Sequence, residues 1–168
     1  MTSNERKHYI LDALKNASSP ISANHFATKL EVSRQIIVGD VALLRAAGSN
    51  IIATPRGYML EHSSKYIHTI SCSHTAENIL DELYIIVDCG CTILNVIVEH
   101  PIYGEIIGNL HISSRMDADL FVQKIKEHRT APLCSITNNI HLHTLSCPSE
   151  QHFQHVQRQL RTNGFLVE

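Results

Sequence analysis

The chain has 168 residues, fourteen Lys/Arg against sixteen Asp/Glu and a formal net charge of -2 at pH 7, long enough for one large domain or two small ones. No apolar run approaches the ~20 residues of a membrane span, and the N-terminus reads as too polar for a secretory signal, so the expectation is a cytoplasmic protein with no membrane partner. Five cysteines (Cys72, Cys89, Cys91, Cys134, Cys147) are odd in number and lack zinc-ribbon CxxC spacing, which points to reduced thiols.

In chain order, Ile10, Leu11, Leu14 and Ala17 make an amphipathic first helix ended by Ser18-Ser19-Pro20. Ser22 caps a short helix through Ala27 and Leu30, and Glu31-Val32 turns into a third. There Ser33 is the N-cap, Ile36, Ile37, Val41 and Leu44 form one apolar stripe, and Gly48 supplies the left-handed stop. Ile51-Ile52-Ala53 and Tyr58-Met59-Leu60 are strand-like runs around the turn Thr54-Pro55-Arg56-Gly57. Three helices followed by a hairpin predict a winged helix-turn-helix domain over residues 1–61. The third helix would then aim Ser33, Arg34 and Gln35 at a major groove, with Arg able to pair with guanine and Gln with adenine. Arg56 at the wing tip would meet phosphate or the minor groove. A plain three-helix bundle with solvated charges is the competing reading; cap, stripe, stop and wing in this order favour DNA. Residues 1–61 carry seven basic against five acidic groups, a marginal electrostatic footprint that favours two copies of the module on double-stranded DNA.

Glu61-His62-Ser63-Ser64-Lys65 reads as a linker, and residues 66–168 as a second domain. Its predicted elements are a strand over 66–73, a helix over 75–88 stopped by Gly90, and strands over 91–99 and 102–112 around Pro101. A helix over 117–129, a strand over 139–146, a polar helix over 149–161 and a short terminal strand over 165–167 complete it. The order βαββαβ with a trailing αβ suggests a mostly antiparallel sheet covered by helices on one face, an α/β sandwich, and an α+β class for the whole chain. Cys89-Gly90-Cys91 spans a helix stop; small apolar fillers are the reading there, with a metal or redox pair as the alternative.

Eight of the twelve histidines lie beyond residue 70. In a strand, His141 and His143 point to the same face, half of a metal site. His74 lies at a strand-to-helix junction and Glu82 on that helix; their eight-residue offset on an ideal helix spans about 12 Å. They can share one ion only if His74 sits outside the helix and reaches back. Spacing alone leaves open a second reading, in which the histidines are surface residues of an edge strand and Glu82 is solvated. Such a three-nitrogen, one-oxygen set would suit one divalent ion, Zn, Ni, Fe or Mn, without choosing between them. His100, before Pro101-Ile102-Tyr103-Gly104, is the remaining histidine that can line a pocket.

Together these residues resemble the niacin-responsive transcription repressors, which join a biotin-repressor-like helix-turn-helix to a 3H domain. The carriers are VSRQIIVGDVALLRAAG, TPRGY, His74 with Glu82, ELYIIVDCG, VIVEHPIYGEI, Ser114-Arg115, Ala131-Pro132-Leu133 and HLHTL. The resemblance implies a homodimer that represses genes of NAD synthesis or niacin uptake, with nicotinic acid as co-repressor. It also implies a divalent metal on His74, Glu82, His141 and His143. His100, Tyr103 and Arg115 are the candidate effector contacts, and no residue is expected to be catalytic. Two departures stand out: Gly39 where the family carries a long polar residue, and Cys89-Gly90-Cys91 in place of a polar-Gly-Gly turn. A metal-responsive repressor, and a metal-dependent hydrolase lacking any nucleophile elbow or phosphate loop, are the rival readings.

Overall fold

The computed structural model describes residues 1–61 and 66–167, and the chain divides into two compact units, Met1–Ser63 and Ser64–Glu168. Apart from Glu61, the expected linker lies outside the described residues.

The first unit contains α1 (Ser3–Asn16), α2 (Ala23–Lys29), α3 (Arg34–Ala46) and a hairpin of β1 (Ile51–Thr54) and β2 (Gly57–Leu60). Each helix starts at a hydroxyl cap: the side chains of Thr2, Ser22 and Ser33 accept from the N–H groups of Glu5, His25 and Ile36, relieving donors that the first turn leaves unpaired. Ile10, Leu14, Phe26, Ile37, Val41 and Leu44 form one core with Ile51. Ile36, expected in that stripe, is instead 43% exposed, because it lies a residue off the face that Ile37, Val41 and Leu44 turn inward. Ala17 likewise falls just past α1, as its C-cap.

Buried Asp40 on α3 takes the guanidinium of Arg6 from α1 through both oxygens, with Nη2–Oδ1 at 3.1 Å. A buried carboxylate is costly without such a partner, so the pair fixes the roll of α3 against α1. The wing is pinned from behind: Ile21 and Tyr58 exchange backbone hydrogen bonds at 2.8 Å in both directions. Gly57, at φ +142, permits that approach, since a Cβ there would stand 2.3 Å from the Ile21 carbonyl oxygen.

The second unit contains a four-stranded antiparallel sheet in the order β3-β6-β4-β5, built from β3 (Tyr66–Ser73), β4 (Thr92–His100), β5 (Gly104–Ile112) and β6 (Ile140–Cys147). Helices α4 (Ile79–Asp88), α5 (Arg115–His128) and α6 (Glu150–Thr162) bury Leu83, Ile86, Ala118, Val122, Val156 and Leu160 with Ile70, Ile93, Leu110, Ile112 and Leu145 of the sheet. Four boundaries differ from the sequence expectation by more than one residue. The helix expected from 75 opens as a 3₁₀ turn, Ala76–Asn78, and becomes α-helical at Ile79. Pro101 and its neighbours stay in the turn, so β5 begins at Gly104. Helix α5 starts two residues early because Ser114 is its cap, accepting from Asp117 N–H. The terminal strand reduces to one bridge, Cys72 with Leu166, alongside β3. A bulge between Ile93 and Asn95, and a 3₁₀ turn over Leu133–Thr137, were not anticipated; both border the site.

Candidate metal centre and recognition helix

Four of the buried polar residues of the second unit lie together: His74 (8% exposed), Glu82 (1%), His141 (3%) and His143 (3%). His141 and His143 alternate inward along β6 as spacing required. Glu82 comes from α4, on the side that also buries Ile79, Leu83 and Ile86. His74 lies in the connection before the 3₁₀ turn, outside the helix, and reaches back so that Nε2 stands 2.6 Å from Glu82 Oε2. The helical offset of about 12 Å is thereby bypassed. The Nε2 atoms of His141 and His143 approach the same oxygen at 3.4 Å each. The ligand atoms of His74, Glu82 and His141 all lie within 4.8 Å of one another.

The other nitrogen of every ring decides what this cluster can do. Nδ1 of His74, His141 and His143 lies 2.8, 2.9 and 2.8 Å from the backbone carbonyls of Thr75, Asn139 and Asn95. A carbonyl only accepts, so each Nδ1 carries its hydrogen and each Nε2 presents a lone pair. Three lone pairs then converge on a carboxylate oxygen, with no donor among them. Glu82 Oε1 is also buried without a hydrogen-bond partner, and the neighbouring buried thiol of Cys72 is pushed up by burial and by the carboxylate. Such a set is stable only around positive charge, either extra protons or a cation. Backbone carbonyls behind the rings are the usual outer support of imidazole ligands, so the residues present fit a divalent transition ion. In the metal-free protein, burial pushes the His74 and His143 imidazoles down, but hydrogen bonding and charge attraction from Glu82 more than offset it and raise both. Burial pushes Glu82 up, yet His143, with the hydrogen bonds of all three rings, holds it well below the ordinary carboxylate range.

The backbone was shaped to supply two of those carbonyls. Asn138 and Asn139 are both left-handed, at φ 51 and 69, a conformation Asn tolerates better than most residues, and this turn directs the Asn139 carbonyl at His141. At the β4 bulge, the Asn95 carbonyl takes His143, while its side-chain oxygen accepts the Thr144 N–H at 3.1 Å. Sequence reasoning missed both asparagines; the tandem Asn was a turn signal, whereas the bulge left none.

Beside the cluster is a cavity of about 40 Å³ for the centres of water molecules, or about 340 Å³ of empty space counting its open mouth. Its remaining walls are Ile79, Leu83, Val96, Leu110, Phe121, Pro132, Leu133 and Cys134. A larger hollow of about 540 Å³ shares Ile79 and Pro132 with it and carries Glu77, Lys126 and Arg129. The candidate effector residues do not line the cavity. Tyr103 is 76% exposed in the β4–β5 turn, where His100 Nδ1 accepts its N–H at 3.3 Å. Arg115 forks onto Asp88 at 2.9 and 2.5 Å and lies over the Tyr84 ring. The first two sit at the turn beyond the last paired residues of β4 and β6, outside the cavity walls, and the ion pair engages the third. Pro132, Leu133, Cys134 and Phe121 line the cavity.

In the first unit, Arg34 and Gln35 are exposed on the first turn of α3, next to the Ser33 cap. Arg56 sits in the two-residue wing turn, half-buried. Gly39 is exposed, with open space where a side chain would stand. Among the described residues no helix is long and apolar enough to cross a membrane.

Comparison with known proteins agrees with both halves. Residues 6–59 match an HTH domain and residues 67–168 the 3H domain. The chain is 40% identical over 165 residues to the probable transcription repressor NiaR of Thermotoga maritima, covering 98% of this chain and 94% of that one. It is 35% identical over 168 residues to the transcription repressor NadR of Bacillus subtilis, covering 97% and 93%. Both relatives are named as transcription repressors. The chain therefore belongs to the family of transcription repressors that join a helix-turn-helix to a 3H domain.

Proposed function

We propose that the protein binds operator DNA as a homodimer through α3 and the wing, and that nicotinic acid, bound beside a divalent metal in the 3H domain, is its co-repressor at genes of NAD synthesis or niacin uptake. The observation that carries this reading is the convergence of three imidazole lone pairs and a carboxylate, with no donor among them, on the wall of an otherwise apolar cavity.

His74, Glu82, His141 and His143 would hold the ion. When bound, it would supply a Lewis-acidic position for an anionic or nitrogen donor. The protein's own groups do the rest. Phe121, Leu133, Val96 and Leu110 offer an apolar slot to a flat ring, and the Thr75, Asn139 and Asn95 carbonyls keep the imidazoles in one tautomer. Lys126 and Arg129, in the adjoining hollow, favour approach of a carboxylate. Two copies of α3 spaced about 34 Å apart would meet successive major grooves, and an effector that prefers that dimer geometry tightens DNA binding.

Fluorescence anisotropy on the chain's own upstream DNA, with metal or chelator and with or without nicotinate, tests this. Nicotinate should tighten binding only in the presence of metal, and Arg34→Ala should weaken it by ~1–3 kcal/mol. Binding that follows metal and ignores nicotinate would replace the co-repressor with metal sensing. Indifference to both would end the proposal.

A further inference from the structure

The thiols at the opposite end of the core are not used by the site above. Cys89 caps the C-terminus of α4, Gly90 turns the chain at φ +80, and Cys91 leads into β4. Cys147 closes β6. The pairing of Thr92 with Ser146 puts Cys91 opposite Cys147 at the next register position, and both are buried. Five residues past Cys147, His152 in the first turn of α6 lays its ring over Gly90. A Cβ built there would stand 3.5 Å from its Cδ2 and 4.0 Å from its Nε2. The His152 Nδ1 lies 2.8 Å from Ser149 Oγ, and with Nδ1–H donating there, Nε2 remains as a ligand.

We infer that Cys89, Cys91, Cys147 and His152 form a second, thiolate-rich metal site, of the three-sulfur, one-nitrogen type that suits Zn²⁺. Three chain reversals meet at this end of the sheet, which is how residues so distant in sequence come together. The negative end of the α4 dipole faces the same place and favours a cation. In the present arrangement the four side chains do not share one shell: among the described residues, the group with ligand atoms mutually within 4.8 Å is His74, Glu82 and His141. Closing the shell needs rotation of Cys89, which is half-buried, and of His152, which is exposed, onto the seated Cys91–Cys147 pair. Binding forms three sulfur–zinc bonds and sends three thiol protons to solvent. Burial raises all three thiols, so occupancy should fall as the solution is acidified.

The test is anaerobic Co²⁺ titration of the reduced protein, followed by absorption spectroscopy. Thiolate ligands add a near-ultraviolet sulfur-to-cobalt charge-transfer band that an imidazole–carboxylate site cannot produce. Wild type should take up two ions per chain, one with that band. Cys91→Ala with Cys147→Ala should lose the band and keep the other ion, whereas His141→Ala should keep the band. Cys89→Ser, at the half-buried edge of the core, and His152→Ala, at an exposed position, should weaken the band's metal affinity at least tenfold without unfolding the chain. Absence of the band in reduced wild type, or a band unchanged in the Cys89 and His152 variants, would overturn the inference. A Cys91–Cys147 disulfide that forms in air, without metal uptake under reduction, would also overturn it.

Discussion

Replacing Glu82 by Gln keeps the shape of the side chain and removes its charge from a position 1% exposed. If the four residues hold one ion, one ligand of four is weakened at a centre whose structural counterparts bind with ~10–16 kcal/mol, so about 3 kcal/mol, or roughly a hundredfold in Kd, should be lost. With metal at ~1,000 times the native Kd, linkage stabilisation would fall from about 4 to about 1.4 kcal/mol. For a unit the size of Ser64–Glu168, that is roughly 10–20 °C of the metal-induced rise in Tm. Without metal the sign changes. Above the raised values of His74 and His143 the imidazoles are neutral, and a Gln amide can donate to a lone pair where the carboxylate cannot. Circular-dichroism melts of both proteins, in chelator and in excess Zn²⁺ at alkaline pH, separate the two effects. An equal metal-induced rise in both, or a chelated variant destabilised as much as the loaded one, would refute the assignment of Glu82 to the metal.

The pH profile gives a second check. Raised histidines contribute stability that is complete below their ordinary value of 6.5 and lost as pH climbs through the folded values. Lowered Glu82 contributes stability that is complete above 4.5 and lost in acid. The chelated protein should therefore melt highest between 4.5 and 6.5, while the metal-loaded protein gains on the alkaline side, because its ligands bind deprotonated. Identical profiles with and without metal would remove the ion. Asn139→Ala strains a left-handed residue by ~1–2 kcal/mol and should cost ~10–100-fold in metal affinity through His141; Asn139→Gly should retain it, as competition with a chromogenic chelator would show. Gly57→Ala drives a Cβ into the Ile21 carbonyl and should cost the first unit about 3 kcal/mol or more, visible in its urea midpoint; a neutral effect would mean the wing is not pinned there.

Local rules made much of the molecule legible. Ser22 and Ser33 announced their helices, Gly48 and Gly90 their stops, and the alternation of His141 and His143 their common face, because caps, left-handed residues and strand period act within a few positions. The strand order was not readable in the same way. Strand β6 inserts between β3 and β4, a non-local pairing, and it is this insertion that sets His143 beside the β4 bulge.

Single-residue patterns likewise named the four clustered residues His74, Glu82, His141 and His143 but could not say what surrounded them. His100, Tyr103 and Arg115 carried suitable chemistry, and the fold leaves them outside the cavity. Phe121, Pro132, Leu133 and Cys134, unremarkable side chains, line it instead. The sequence by itself determined the elements, their caps and the chemical types gathered in the chain. Only the tertiary structure decided that three imidazoles turn their lone pairs to one carboxylate, since that depends on carbonyls presented by a bulge and a left-handed turn, whose directions are set by packing rather than by neighbouring residues.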